Sequence, residues 1–216
     1  MLVTIVAAGC DVMEDYDAME RLRKSDLIIS VDGGLNYLKK LGIFPHIYVG
    51  DFDSATDIDY LYDGDDLKKG IQILEFPTRK DKTDLELALD YLVDEGIDAC
   101  TIMGGTGTRL DHSLCNIFML ERYKRQGLNA RLINETNRVT YLTEGRYEIG
   151  KTKDGWYQSF LAMPSDVTLT LEGFDYKLDR ALVQRGSSLA ISNHALIDKA
   201  VVIVEGGGVY SIEAKD

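Results

Sequence analysis

Short apolar runs rich in β-branched residues recur along the first two thirds of the chain: LVTIVAA, DLIISV, HIYVG, IQILEF, ACTIMGG and ARLIN. Between most of them lie stretches with apolar positions three and four apart, among them AMERLRK, LNYLKKLG and LELALDYLVDEG. Strands apolar on both faces, alternating with helices, predict a parallel sheet covered on each side. The third helix carries its own punctuation. Thr83 and Glu86 have capping-box spacing, and Gly96 follows the last turn. A fourth helix, DHSLCNIFMLERYKRQG, is expected from about Asp111 to Gly127.

From about Arg138 the pattern changes. DVTLTLEG alternates strictly, with Val167, Leu169 and Leu171 set against Thr168, Thr170 and Glu172. RYEIG, WYQSFLAM, SSLAISN and KAVVIVEGGGVYSIEA read as further short strands separated by Gly, Asp or Asn. Such spacing predicts an antiparallel sandwich or barrel. The expected fold is α/β: a parallel-sheet α/β domain over 1–136, then a small all-β, sandwich-like domain over 137–216.

Length and charge narrow the function classes. At 216 residues the chain is long enough for a real core. A formal charge of −12 argues against nucleic acid or anionic membrane as a partner, because both need a basic surface. It is compatible with an anionic substrate where a metal supplies the positive charge. No apolar run approaches the length of a membrane span, and no basic-then-apolar leader opens the chain. Cys10, Cys100 and Cys115 are odd in number and lack metal-ligand spacing, so they read as buried thiols of a reducing, cytoplasmic setting.

Candidate chemistry collects where open parallel sheets bind ligands, outside the carboxyl ends of the strands. SVDGG puts Asp32 after LIIS, with Gly33 and Gly34 permitting close backbone approach. VGDFDS puts Asp51 and Asp53 after IYV. Two residues apart on an extended segment they point the same way, and two such charges call for a cation between them. A hard divalent metal accounts for this, and so does a polar turn at a strand end. PTRKDKTD puts Lys80, Asp81, Lys82, Thr83 and Asp84 after ILEF; MGGTGTRLDH puts Gly104, Gly105, Gly107, Arg109, Asp111 and His112 after CTIM. Taken singly, DGG is a common turn, Thr83 and Asp84 are helix caps, and His112 is a first-turn histidine. GGTGTR is neither a Walker loop nor a dinucleotide fingerprint, lacking the Lys-Ser/Thr of one and the third glycine of the other.

Four such clusters at successive strand ends point to one active-site edge. Carboxylates suggest a magnesium-type ion, a glycine loop opening a helix offers N–H groups to an anion, and Arg109 can clamp phosphate bidentately. Lys80 or Lys82 adds point charge. Together these point to phosphoryl-type transfer, with the acceptor unspecified.

In order along the chain, DGG, GDFDS, DKTDLELAL, GGTGTRLDH and SLAISN resemble the thiamine pyrophosphokinase family. The resemblance implies an α/β catalytic domain, a β-sandwich domain, Mg²⁺, a homodimer with a shared site, and pyrophosphoryl transfer from ATP to thiamine with release of AMP. It implies that Asp32, Asp51, Asp53 and Asp81 hold Mg²⁺ and triphosphate, and that Asp84 faces thiamine. It implies that Arg109 and the Gly104–Gly107 loop bind ATP phosphates with Asp111 in support. Ser192 and Asn193 would hydrogen-bond the aminopyrimidine, with Tyr210 and Trp156 as candidates to stack on it. Asp81 or Asp84 is the candidate proton acceptor. Two other readings stay open: a kinase passing a single phosphoryl group to a thiamine-like alcohol, and a non-catalytic thiamine or nucleotide sensor.

Overall fold

Each apolar run of the first 135 residues that was expected to be a strand is one in the computed structural model. The structure describes residues 1–9, 16–50, 58–64, 66–75 and 81–216. Two units divide the chain, Met1–Glu135 and Thr136–Asp216.

The first unit runs β1 (Val3–Val6), α1 (Tyr16–Arg23), β2 (Leu27–Val31), α2 (Gly34–Lys40), β3 (Ile47–Gly50), a 3-10 turn (Ile58–Leu61), β4 (Tyr62–Asp63), β5 (Asp66–Leu67), β6 (Gln72–Glu75), α3 (Asp84–Asp94), β7 (Ala99–Met103), α4 (Leu110–Arg125) and β8 (Asn129–Ile133). Its main sheet is parallel throughout, in the order β8-β7-β1-β2-β3-β6. The chain therefore builds outward from β1 in one direction, then returns to place β7 on the other side of β1. Right-handed crossovers in opposite directions put α1 and α2 on one face and α3 and α4 on the other. Leu22 and Leu38 bury against Val6, Ile28, Met103 and Ile133 on the first face. The 3-10 turn and the β4-β5 hairpin lack a long enough apolar period to be read from sequence. They fold because Leu61 buries with Leu35 and Tyr48, and because Lys68 Nζ donates to the Tyr60 and Tyr62 carbonyls at 2.7 Å each.

Helix ends follow the local code. Thr83 Oγ1 caps α3 by accepting from Glu86 N–H at 3.2 Å. Gly96, at φ +69°, closes it: Gly96 N–H bonds Val93 O at 3.0 Å and Ile97 N–H bonds Leu92 O at 2.9 Å. Only a residue tolerant of the left-handed region makes this paired C-cap without strain.

The second unit holds β9 (Asn137–Ile149), β10 (Tyr157–Ala162), β11 (Val167–Glu172), β12 (Leu178–Val183) and β13 (Ala200–Ala214), all antiparallel. KAVVIVEGGGVYSIEA is one bent strand, β13. Its first half pairs β11 and its second half pairs β10, while β9 follows it along both. The register shifts between Val204 and Gly208, where a Cβ on Gly208 would meet the Tyr141 hydroxyl at 2.2 Å. The glycine run thus accommodates the register shift midway along the β9–β13 pair. Phe160, Leu169, Leu171, Phe174, Val202 and Val209 belong to the core of this unit. SSLAISN is a correction to the expected strand. It is a turn, tied to β10 by the isolated bridge from Asn193 to Gln158 and by Phe160 N–H donating to Ala190 O at 2.9 Å. Ser192 sits at φ +56°, which breaks extended geometry there.

Candidate functional site

Because β1 and β7 diverge to opposite directions of travel, their carboxyl ends form the topological switch of the sheet, the place where ligands enter such folds. Backbone fills this crevice closely. Ala7 N–H donates to Met103 O at 2.8 Å and Gly9 N–H to Gly104 O at 2.7 Å. A Cβ on Gly9 would lie 2.0 Å from Thr106 O, and one on Gly104, at φ +68°, would lie 2.3 Å from Ala7 O. The strand ends meet only as glycines. Gly9 was missed by sequence reasoning, although a glycine directly after the first strand's apolar run is the available signal.

The first turns of α4 pin the glycine loop. Asn116 Nδ2 donates to Gly105 O at 2.6 Å, and Gly107 N–H donates to Ser113 Oγ at 3.1 Å. From the next strand end, Asn134 Nδ2 donates to Thr106 Oγ1 at 2.9 Å. Ser113, Asn116 and Asn134 also escaped sequence reasoning; polar residues three apart on the sheet-facing side of a helix were the clue. Arg109 occupies the N-cap position of α4 in extended geometry, without capping it by a side-chain bond. Its guanidinium grips Asp111 with two bonds, Nε to Oδ1 at 3.2 Å and Nη2 to Oδ2 at 2.6 Å. Both side chains are two-thirds exposed. The Arg109 bonds, helped by the His112 backbone N–H, hold the Asp111 carboxyl at about 2. Thus Gly104, Gly105, Gly107, Arg109 and Asp111 come together in one structure, with His112 exposed beside them.

Asp32 stands at the end of β2 in the left-handed region, φ +46°, with its N–H on Val49 O at 3.0 Å. A Cβ on Gly50 would sit 2.7 Å from both Asp32 Oδ1 and the Tyr48 hydroxyl, so the glycine of VGD leaves room for the carboxylate. Asp81 is exposed ahead of α3, and Asp84 opens that helix, where its charge favours the dipole. Asp51, Asp53 and Lys80 lie outside the described residues. Among the described residues no three His, Cys, Asp or Glu side chains gather into a metal site. Asp32 and Asp81 nonetheless offer hard carboxylate oxygens at the sheet's carboxyl edge, the donor chemistry that suits Mg²⁺. The half-exposed Lys82 ammonium donates to Asp90 Oδ2 at 2.6 Å.

In the second unit Asn193 is buried, 1% exposed. Its Oδ1 accepts from Tyr176 N–H and His194 N–H at 2.9 Å each, and its Nδ2 donates to Tyr176 O at 2.7 Å. Ser192 is exposed beside it, its N–H fixed on Ser159 Oγ at 3.0 Å. Tyr210 is buried edge-on against Tyr141, and the Trp156 ring lies near two cations, Arg138 at 4.5 Å and Lys215 at 5.4 Å. The more exposed rings tied to this turn are Tyr157, next to His194, and Tyr176. Sequence reasoning passed over both.

No helix among the described residues is long and apolar enough to cross a membrane. Residues 18–132 match the family profile described as thiamin pyrophosphokinase, catalytic domain, and residues 146–209 match thiamin pyrophosphokinase, vitamin B1 binding domain. The thiamine pyrophosphokinase of Bacillus subtilis (strain 168) is 34% identical over 192 residues, covering 88% of each chain. A crystal structure of thiamine pyrophosphokinase from Bacillus subtilis matches over the whole of both chains, with a TM-score of 0.87 at 31% identity. A thiamin pyrophosphokinase family protein from Enterococcus faecalis matches over the same full extent, at 0.83 and 28%.

Proposed function

The chain belongs to the thiamin pyrophosphokinase family, and from that premise we propose how its residues share the transfer of a pyrophosphoryl group from ATP to thiamine. The thiamine hydroxyl oxygen bonds to the β-phosphorus of ATP, the bond from that phosphorus to the α-β bridging oxygen breaks, and AMP leaves with the bridging oxygen. The products are thiamine diphosphate and AMP.

The glycine seam at the switch point carries this reading. It offers backbone to a polyphosphate at the opening of α4, with Arg109 held beside it by Asp111. In the proposed division of labour, Gly104, Gly105 and Gly107 approach the phosphates, Arg109 clamps them, and Lys80 adds charge. Asp32, Asp51, Asp53 and Asp81 are the carboxylates that would hold Mg²⁺, which when bound neutralises charge on the triphosphate. Asp84 faces thiamine, and either it or Asp81 accepts the hydroxyl proton. Ser192 and Asn193 take the aminopyrimidine.

The domain assignment belongs to the same proposal: catalysis over 1–136 and vitamin binding over 137–216, supported by the two profile matches within those ranges. So does a homodimer, supported by the outward row of Leu110, Leu114 and Phe118 on α4, of which Leu110 is 69% exposed. The cytoplasm is the proposed setting, consistent with Cys100 and Cys115 being free thiols; Cys100 is buried as expected, Cys115 is exposed on α4 instead, and Cys10 lies outside the described residues.

Incubation with ATP, Mg²⁺ and thiamine, resolved by chromatography, tests the reaction. Equal amounts of AMP and thiamine diphosphate are expected. ADP with thiamine monophosphate would replace the reaction with single phosphoryl transfer. Thiamine binding without turnover would leave a sensor.

A further inference from the structure

We propose that Asp90 is a positioning residue that holds the Asp81–Asp84 loop to α4 by way of Lys82. This rests on the reading above that Asp81 and Asp84 belong to the site.

Asp90 lies two turns into α3, eight residues beyond Lys82, so the Lys82 side chain must fold back along the helix to reach it. It does so at 2.6 Å, on Oδ2. The other oxygen, Oδ1, accepts from the hydroxyl of Tyr123, a fully buried residue of α4, at 2.7 Å; the Glu86 carbonyl is 3.0 Å from the same hydroxyl. One turn away, Arg122 of α4 grips the Glu86 carboxylate at 2.5 Å. One carboxylate therefore ties the acidic loop on one side to α4 on the other. The same α4 pins the glycine loop through Ser113 and Asn116. Asp90 is the point where the phosphate-side and carboxylate-side groups of this unit share a fixed reference.

The pairing also answers what Lys82 is for. A lysine in a phosphate site points its ammonium at the ligand. Here the ammonium is engaged with a carboxylate that is itself oriented by a buried tyrosine. Half-exposed ion pairs contribute little to global stability. Breaking this one should therefore move the loop without unfolding the helix, which is the behaviour that separates positioning from mere scaffolding.

The test compares Asp90→Asn, Lys82→Met, the double variant and Asp90→Glu. Asp90→Asn keeps an oxygen for Tyr123 and removes the charge that holds Lys82. Both single variants are expected to lower kcat/KM for thiamine and raise half-saturating Mg²⁺ by about 10-fold or more. The double variant should do no further damage, because the two residues act through one bond. Asp90→Glu should recover part of the loss. Amide exchange should quicken at residues 81–84 in both single variants, with no change at Leu89 and Leu92 and a melting temperature near that of the parent. Wild-type Mg²⁺ dependence and loop exchange in Asp90→Asn would overturn the proposal. So would a loss in Lys82→Met alone, which would return Lys82 to the phosphates. Asp81→Asn separates the two readings: if it is inactive while Asp90→Asn is normal, only the positioning role fails. If Asp81→Asn turns over normally, the loop is not in the site and both fail.

Discussion

Arg109 and Asp111 clasp each other across the first turn of α4 through two parallel hydrogen bonds, 3.2 and 2.6 Å long, although both side chains face solvent. An exposed pair adds little to stability, so its consequence is orientation: it fixes the plane of a guanidinium beside the glycine loop. Asp111→Asn is expected to raise KM for ATP by about 10-fold with an unchanged melting temperature. Arg109→Lys should not restore affinity, because an ammonium cannot make the two-pronged contact. The pH course follows from the sign of the shift. The Asp111 carboxyl sits at about 2 in the folded protein, below the ordinary carboxylate range, so the clasp is present at neutral pH and is lost only as pH falls toward that value. Measuring KM for ATP from neutral down to about pH 5 should therefore show no inflection from Asp111.

The glycine seam makes a sharper demand. Gly9→Ala places a methyl 2.0 Å from a carbonyl oxygen, and Gly104→Ala adds left-handed strain to a 2.3 Å clash, both against backbone that cannot step aside. Each is expected to cost about 3 kcal/mol or more and to abolish ATP binding, read by chemical denaturation and by nucleotide-dependent thermal shift. Gly150→Ala, where a Cβ meets nothing within 4 Å, serves as the tolerant control.

Ser192 and Asn193 are neighbours with different duties. Asn193→Ala strips three hydrogen bonds from a buried turn and should cost about 2–4 kcal/mol. Ser192→Ala removes an exposed hydroxyl and should leave the melting temperature alone while raising KM for thiamine. Equal melting temperatures for the two variants would refute this split.

Alkali should find weak points in the first unit, with Cys100 and Tyr123 among them. Burial pushes the Cys100 thiol up to about 12, and burial followed by the hydrogen bond to Asp90 pushes the Tyr123 hydroxyl up as well. A raised folded value means stability that is intact below the unfolded pKa and drains away as pH rises. Denaturation midpoints should hold to about pH 8 and fall above about pH 9 to 10, less steeply in Tyr123→Phe. At neutral pH, alkylation followed by peptide mapping should label exposed Cys115 readily and Cys100 only after unfolding.

Much of this was legible in the sequence where the cause is local. Continuous apolar runs such as LIISV and IYVG could only be strands buried on both faces. Thr83 and Gly96 mark the ends of α3 because capping is settled within a few residues. The switch from period 3.6 to period 2 near Arg138 announced a second kind of packing. The motif order, and with it the family, also lies in the chain alone.

Tertiary structure decided what depends on residues far apart in sequence. No local pattern says that β7 returns to lie beside β1, yet that choice alone brings Gly104 against Ala7 and Gly9 and makes the crevice. Nor does DKTD reveal that Lys82 belongs to Asp90, or SSLAISN that Asn193 spends its amide on Tyr176. The alternation of side chains specifies which face of a strand is buried. It does not specify the neighbour, because apolar burial is non-directional and many strand orders would satisfy it. Hydrogen bonds and steric fit across the completed fold select one order, and the candidate site is assembled from that selection.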